Sequence, residues 1–407
     1  MASVHAGRAR VVRLGDVARM SSGGTPPATV SRYYGGGIPW VSIADMTKAG
    51  KFVERTQRTL SEQGLAASAG RVYPAGVVLY AMYASLGECS IALGEVSSSQ
   101  AILGIEVGAD LDRDYLYYYL LSIKSAVKSL GQQGTQANLN ASIVRNLKLW
   151  LPNLDEQRRV AGVLTDVDEL GSSLEHLITK KQAIKQGMMQ QLLTGKTRLP
   201  GFVLPWSDAR LGELGVFLRG KGIKRDDVRR KGVPCIRYGE IYTTFGDYTS
   251  SPVSFVERAV ADEALPICAG DLLFAGSGET REEIGKCVAF TGAGAAVAGG
   301  DLVVLRGTTF NPVYLASLTN TPAVAAEKAK RGQGDAVVHV SARALGDIVM
   351  NLPPREEQDA IATVLIDAND EIGVLRARLA KARALKQGMM QELLTGHTHL
   401  PIEERTS

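Results

Sequence analysis

Residues 185–200 read KQGMMQQLLTGKTRLP, and residues 386–401 read KQGMMQELLTGHTHLP. The copies lie 201 residues apart and differ at three positions, one of which sets Lys196 against His397. Upstream, the same offset holds without a gap from Leu151-Pro152, which matches Leu352-Pro353. Further upstream the match loosens. Arg13-Leu14-Gly15-Asp16 corresponds to Arg210-Leu211-Gly212-Glu213, Pro74–Tyr80 resembles Cys268–Phe274, and Cys89 falls near Cys287. The chain therefore reads as a tandem pair, each half a variable globular unit followed by a shared tail.

The shared tails read as long helices. Apolar residues recur at Val160, Leu164, Val167, Leu170, Leu174, Leu177, Ile184, Met188 and Leu192. In the second tail they recur at Ile361, Leu365, Ala368, Ile372, Leu375, Leu379, Ala382, Leu385, Met389 and Leu393. Steps of three and four make one apolar stripe, the seam of a helix laid along another. Leu-Pro precedes each helix and Thr-Gly stops it. Roughly 40 residues give a rod of about 60 Å, which needs a partner along its stripe. Charge sets the direction of pairing. Residues 155–171 carry five acidic and two basic side chains, whereas 172–194 carry three Lys and one Glu. In the second tail, 356–372 carries six acidic and no basic groups, and 373–395 five basic and one acidic. Antiparallel pairing sets each acidic half beside the other helix's basic half, and places the globular units at opposite ends about a pseudo-twofold axis.

Gly195-Lys196-Thr197 resembles the end of a phosphate-binding loop, but that loop needs a glycine at position 190, where Gln stands. The segment also follows a helix instead of opening one, and its second copy has His397. Gly195 is read as a helix cap, with Lys196 and Arg198 suiting the negative helix end.

Short β-rich runs such as Val77–Met82, Asp271–Ala275 and Leu302–Leu305 alternate with Gly-rich turns and helical stretches in both globular units. The expected fold class is α+β: two domains of mixed twisted sheet plus helices, separated by two long helices in an antiparallel coiled coil, as a pseudo-twofold tandem repeat. The expected boundaries are 1–150 and 206–351 for the two globular domains, and 151–205 and 352–407 for the helical spacers with the C-terminal tail.

A composition of 45% hydrophobic and 22% charged residues places the chain among globular proteins. No apolar run is long enough for a membrane span, and the N-terminus has no apolar signal-peptide core. The four cysteines show no ligand spacing, so no metal site is expected and reduced thiols in the cytoplasm are. The net charge of +4 permits a nucleic-acid partner, and residues 219–231 concentrate seven basic and two acidic side chains. No catalytic constellation stands out. Phe290–Gly294 (FTGAG) resembles an S-adenosylmethionine motif and Asn311–Tyr314 (NPVY) a methyltransferase tetrapeptide, but fewer than 20 residues separate them. A doubly wound sheet needs on the order of 60 residues there.

Polar, aromatic and basic clusters remain. The first unit has Ser21–Pro27 (SSGGTPP), Tyr33–Trp40, Tyr80–Ser85 (YAMYAS) and Gly134–Asn140 (GTQANLN). The second has Lys221–Lys231, Arg237–Tyr242 (RYGEIY), Gly276–Arg281 (GSGETR) and Gly332–His339 (GQGDAVVH). Such side chains read base edges and glycines admit phosphate, so two pseudo-symmetric units suggest readers of two half-sites.

With Gly23–Pro26, Ile38–Trp40, Asp45-Met46, Gly134–Asn140, Glu156-Gln157, Glu357-Gln358 and the two KQGMMQ(Q/E)LLTG tails, the chain resembles the DNA specificity subunit of Type I restriction-modification systems. The resemblance spans essentially the whole length. It implies a sequence-specific DNA-binding subunit with no catalysis of its own, each domain reading one half of a bipartite asymmetric site. The coiled coil would set the spacer and dock two methylation subunits. Those subunits carry S-adenosylmethionine, and restriction subunits, where present, use ATP and Mg. On residue chemistry the expected DNA contacts are Thr25, Tyr83, Ser85, Gln136 and Asn138 in the first unit. In the second they are Lys221, Lys224, Arg237, Tyr238, Glu240, Ser277, Glu279 and Arg281. Met188, Met189, Met389 and Met390 are the expected docking residues. A stand-alone DNA-modifying enzyme and a coiled-coil scaffold without a DNA role are the alternatives.

Overall fold

The structure, a computed structural model, describes residues 9–132, 139–334 and 337–400, with the side chains of 130–132 left out. The chain divides into two compact units, Met1–His176 with Ala377–Ser407, and Leu177–Arg376.

Unit 1 is built on a five-stranded sheet in the order Ala18–Ser22, Ile102–Val107, Val78–Ala81, Cys89–Ala92, Phe52–Val53. Its central strand is buried along its whole length, and alternation divides it between two cores. Val78 and Tyr80 pack with Tyr115 and Leu116 of the helix Arg113–Ser122, while Leu79 and Ala81 pack with Val41, Met46 and Tyr73. A smaller sheet sets Tyr34–Val41 between Arg58–Leu60 and Ser97–Ser98.

Unit 2 repeats this plan with other residues. Its five-stranded sheet runs Val216–Arg219, Leu302–Arg306, Leu272–Ala275, Cys287–Phe290, Tyr248–Thr249. Leu272 and Phe274 face one core, Leu273 and Ala275 the other. Phe274 stands opposite Cys287 as Tyr80 stands opposite Cys89 in unit 1, so the loose sequence match is a structural one. The second sheet has four strands, Ser254–Val256, Val233–Ile236, Ala296–Ala298 and Leu265–Ile267. All four cysteines are unpaired.

Each globular part is closed by its own ends. Arg10–Arg13 pairs antiparallel with Lys148–Leu151, and Ser207–Arg210 with Val349–Leu352. The chain then enters the long helices Leu154–Leu192 and Arg355–Leu393, each of 39 residues. A fully buried Gln157 fixes the first entry. Its side-chain carbonyl accepts from Asp112 N at 2.7 Å and its amide donates to Asp110 O and Pro152 O. Gln358 does the same with Asn311 N and Pro353 O. No helix among the described residues is long and apolar enough to cross a membrane.

Within each unit the two helices pair antiparallel as part of a coiled coil. In unit 1, Glu175 meets Arg383 at 2.6 Å, Asp168 meets Lys386 at 2.6 Å and Glu156 meets His399 at 2.7 Å, so one sequence ascends as the other descends. In unit 2, Lys181 meets Glu371 at 2.7 Å, Lys185 donates to Asn369 at 2.8 Å and Arg198 meets Glu357 at 2.6 Å. The acidic-against-basic arrangement expected from charge is the one formed. The apolar stripe needs a correction. Leu170, Leu177, Ile184 and Leu385 are exposed, while Leu174 and Ile178 are buried. The seam runs through Gly171, Leu174, Ile178, Lys181 and Lys185, and Gly171 lies against Leu379. Leu170, Leu177 and Ile184 share a face because they are seven apart, but that face is rotated about 100° from the seam.

Each helix ends on its glycine, as expected. Gly195 and Gly396 hold φ of 68° and 77°, and a Cβ on Gly396 would collide with the Trp150 indole while one on Gly195 would sit tightly against that of Trp206. Thr194 and Thr395 bond back to the carbonyls of Gln190 and Gln391.

Candidate nucleic-acid interface

Three loops of unit 1 are tied together by backbone bonds. Gly23 N donates to Ile102 O at 3.1 Å, Met82 N to Ala101 O at 2.9 Å, and Leu139 N to Met82 O at 3.0 Å. The hydroxyl of Thr25 accepts from Gln100 N at 3.2 Å and joins the same knot. Thr25 and Tyr83 are exposed there, Ser85 is half-buried, and Ala84 takes a left-handed φ of 57°. Gln136 and Asn138 lie outside the described residues; the end of their loop, Leu139, joins the knot. The glycines of SSGGTPP serve close packing, since a Cβ on Gly23 or Gly24 would fall on the backbone of Ser98 or Gly70. Trp40 donates to Gly24 O and Tyr34 to Pro26 O, which hold this loop against the smaller sheet.

Unit 2 ties its loops with the corresponding bonds. Gly220 N donates to Leu302 O at 2.9 Å, Gly276 N to Asp301 O at 2.7 Å, and Val340 N to Gly276 O at 2.9 Å. The side chains around this knot differ from those of unit 1. Lys221, Lys224 and Arg225 are exposed and make no ion pair among the described residues. Between them Ile223 points inward against Cys235, Val256 and Val297, at a φ of 52° that a β-branched residue rarely adopts. This anchor and the bond from Gly300 N to Gly222 O fix the basic loop as one wall of a cleft of about 480 Å³. Arg237, Tyr238 and Thr243 line its other side.

The remaining expected contacts divide by burial. Tyr238, Glu279 and Arg281 are exposed, and Arg281 donates to Gly334 O at 3.2 Å. Glu240 is buried. It accepts from Arg237 N at 3.0 Å, from the Arg237 guanidinium at 3.0 Å, and from the Ser254 hydroxyl. It caps its own short helix and aims Arg237, a role its spacing of three residues from Arg237 could have signalled. Ser277 is also buried. Its hydroxyl meets His339 Nδ1 at 2.9 Å beside a second cavity of about 380 Å³ that Arg219, Asp301 and Gln333 help to line. His339 was not among the expected contacts, although it lies 201 residues after Asn138. Met188 and Met189 are half-buried against the core of unit 2, and Met389 and Met390 against that of unit 1.

Residues 8–186 match the family model of the Type I restriction modification DNA specificity domain. This first part of the chain carries the specificity domain, and the chain as a whole is similar to Type I specificity subunits. The MjaVIII specificity subunit of Methanocaldococcus jannaschii is 23% identical over 402 residues, 95% of this chain and 92% of that relative. The MjaIX specificity subunit of the same organism is 25% identical over 163 residues, which span only 38% of that relative and 39% of this chain. Among solved structures, a chain from a type I R-M system studied for its complex assembly shares the fold. Its TM-score is 0.60 at 19% identity, covering 95% of this chain and 97% of that one. The family model ends within the first long helix, and unit 2 repeats the three backbone bonds of the knot.

Proposed function

We propose that this specificity subunit reads a bipartite DNA site, with residues 1–150 reading one half and 206–351 the other. One observation carries the reading: both units build the same backbone knot and dress it differently. An identical frame gives each reader the same approach to a groove, and unlike side chains give each a different target. Thr25, Tyr83 and Ser85 stand at the first knot, and Gln136 and Asn138 remain expected contacts that lie outside the described residues; Lys221, Lys224, Tyr238, Glu279 and Arg281 stand at the second. Glu240 and Ser277 act from inside by orienting Arg237 and His339.

The chain itself contributes recognition. Adenine methylation belongs to two methylation subunits with S-adenosylmethionine, docked on the helices near Met188-Met189 and Met389-Met390. Cleavage, where it occurs, belongs to restriction subunits with ATP and Mg, and the complex acts in the cytoplasm. Replacing residues 206–351 by the corresponding segment of another specificity subunit tests this. Mapping methylated adenines in cells with the natural and the hybrid chain should show one half-site changed and the other kept. A change in both halves, or in neither, would refute the two-reader assignment.

A further inference from the structure

Where each globular domain meets its helices, the two units share a backbone and differ in charge. Lys51 and Asp247 are equivalent by their bonds: Lys51 O accepts from Ile91 N at 2.7 Å and Asp247 O from Ala289 N at 2.9 Å. The next residues, Phe52 and Tyr248, stand opposite Ile91 and Ala289 in the same parallel pairing. Asp112 and Asn311 are equivalent because each donates its N–H to the buried glutamine, which aligns Asp114 with Val313 and Tyr118 with Ser317. The 201-residue repeat aligns Thr165 with Ile366, Asp168 with Asn369 and Lys386 with Lys185.

In unit 1 these positions form a closed ionic network. Lys51 Nζ donates to Tyr118 Oη at 3.2 Å and to Thr165 Oγ1 at 3.1 Å, and pairs with Asp114 at 3.0 Å. Tyr118 Oη donates to Asp168 at 2.9 Å, and Asp168 pairs with Lys386 at 2.6 Å. Both ammonium groups also lie over the Tyr118 ring, at 4.6 and 5.2 Å from its centre. With Arg113, which also pairs with Asp114 at 2.8 Å, three cations thus meet two carboxylates. Burial works against the Asp114 charge, but hydrogen bonds from Arg113 and Lys51 outweigh it and hold its pKa low.

In unit 2 the domain brings a carboxylate and the helix a neutral amide. Asp247 accepts from Ser317 Oγ at 3.1 Å and from Asn320 Nδ2 at 2.9 Å. Lys185 finds Asn369 at 2.8 Å, and Val313 and Ile366 remove the polar partners that unit 1 has at Asp114 and Thr165. A cavity of about 850 Å³ opens beside Lys185, Asp247, Tyr248 and Asn369.

We propose that this junction is a key that assigns each domain to its own stretch of helix. Residues 1–150 fit helices that present Asp168; residues 206–351 fit helices that present Asn369. Set on the second helix stretch, the first domain would bring Lys51 beside Lys185 with Asn369 where unit 1 has Asp168, and with Asp370 as the helix carboxylate lining that cavity. Set on the first, the second domain would turn Asp247 toward Asp168. Either exchange places like charges together in a half-buried site, where they are poorly screened.

The test uses the full-length chain with residues 1–150 in both positions, made with Asn369 and with Asn369→Asp. Opening of the transplanted domain is read by amide exchange in the absence of DNA, so a failure of the recognition reading would not affect the outcome. Asn369→Asp should slow that opening about tenfold, the size expected of one charge partner gained in a half-buried site. In the natural chain, where Asp247 and Asp370 are near, the same substitution should leave opening unchanged or hasten it. Equal effects in the two chains would overturn the proposal. Should the hybrid not fold, the natural chain carrying Lys51→Asp decides. Adding Asp168→Asn should then restore part of the lost protection, whereas further loss would overturn the key.

Discussion

Lys328 offers a measurable handle on unit 2. It sits on the helix Pro322–Arg331, is 2% exposed, and donates to Gly285 O at 2.6 Å. Burial lowers its pKa from 10.5 to about 8, with Cys287 and Asp247 acting in the opposite direction. The group therefore binds its proton less readily folded than unfolded. Between pH 8 and 10.5 unfolding takes up a proton, so stability rises with pH through that window. Below pH 8 both states are protonated and the full penalty applies, about 3 kcal/mol for a shift of this size. Lys328→Met keeps the chain length and removes the penalty. It also strands the Gly285 carbonyl, which costs about 1–3 kcal/mol. At pH 7 the variant should match the natural chain or exceed it by up to about 2 kcal/mol. At pH 10 it should be the less stable of the two. Urea denaturation at pH 7, 8, 9 and 10, followed by amide exchange of the strands 272–275 and 287–290, gives the difference between the chains. Groups that titrate in both cancel. A stability difference that stays constant from pH 7 to 10 would show that burial does not depress the ammonium, and the reasoning would fail.

Two further outcomes are expected. Arg198 grips the buried carboxylate of Glu357 through two nitrogens, where the first copy of the contact has His399 on Glu156. Arg198→His should leave residues 355–365 as protected from exchange as in the natural chain below pH 6 and less protected above pH 8, because the Glu357 carboxylate raises the pKa of an imidazole beside it but does not keep it charged at high pH as a guanidinium is. Equal protection at both pH values would refute it. Lys221→Ala with Lys224→Ala should lower DNA affinity of the assembled complex and reduce the slope of log K against log salt by about 2, without changing the site read. An unchanged slope would remove these lysines from the phosphate contacts.

The parts legible in the sequence were those set by local periodicity and repetition. The two long helices, their antiparallel charges and their glycine stops all follow from residues near one another in the chain. The seam was misjudged at Leu170, Leu177 and Ile184 because apolar residues seven apart make a stripe wherever they lie. Which stripe is buried depended on Lys181 and Lys185 finding partners on the other helix. The candidate site was legible as loops and illegible as geometry. Its knots are backbone bonds between segments such as Met82, Ala101 and Leu139, and backbone groups carry no sequence signature. Glu240 looked like a base reader because its charge is visible in sequence, whereas its burial under Ser254 and Arg237 is not.

The strand pairs Arg10–Arg13 with Lys148–Leu151, and Ser207–Arg210 with Val349–Leu352, put the entrance and exit of each domain side by side. A segment whose two ends adjoin can be lifted out of a gene and replaced without moving the backbone on either side. Recombination between related genes, with crossovers in the repeated tails, can then deliver a whole new reader in one event. On the proposed two-reader function the lineage would gain a new target sequence while the helices remain as they were, and only a few side chains beside Lys51 or Asp247 would be left to adjust by point mutation.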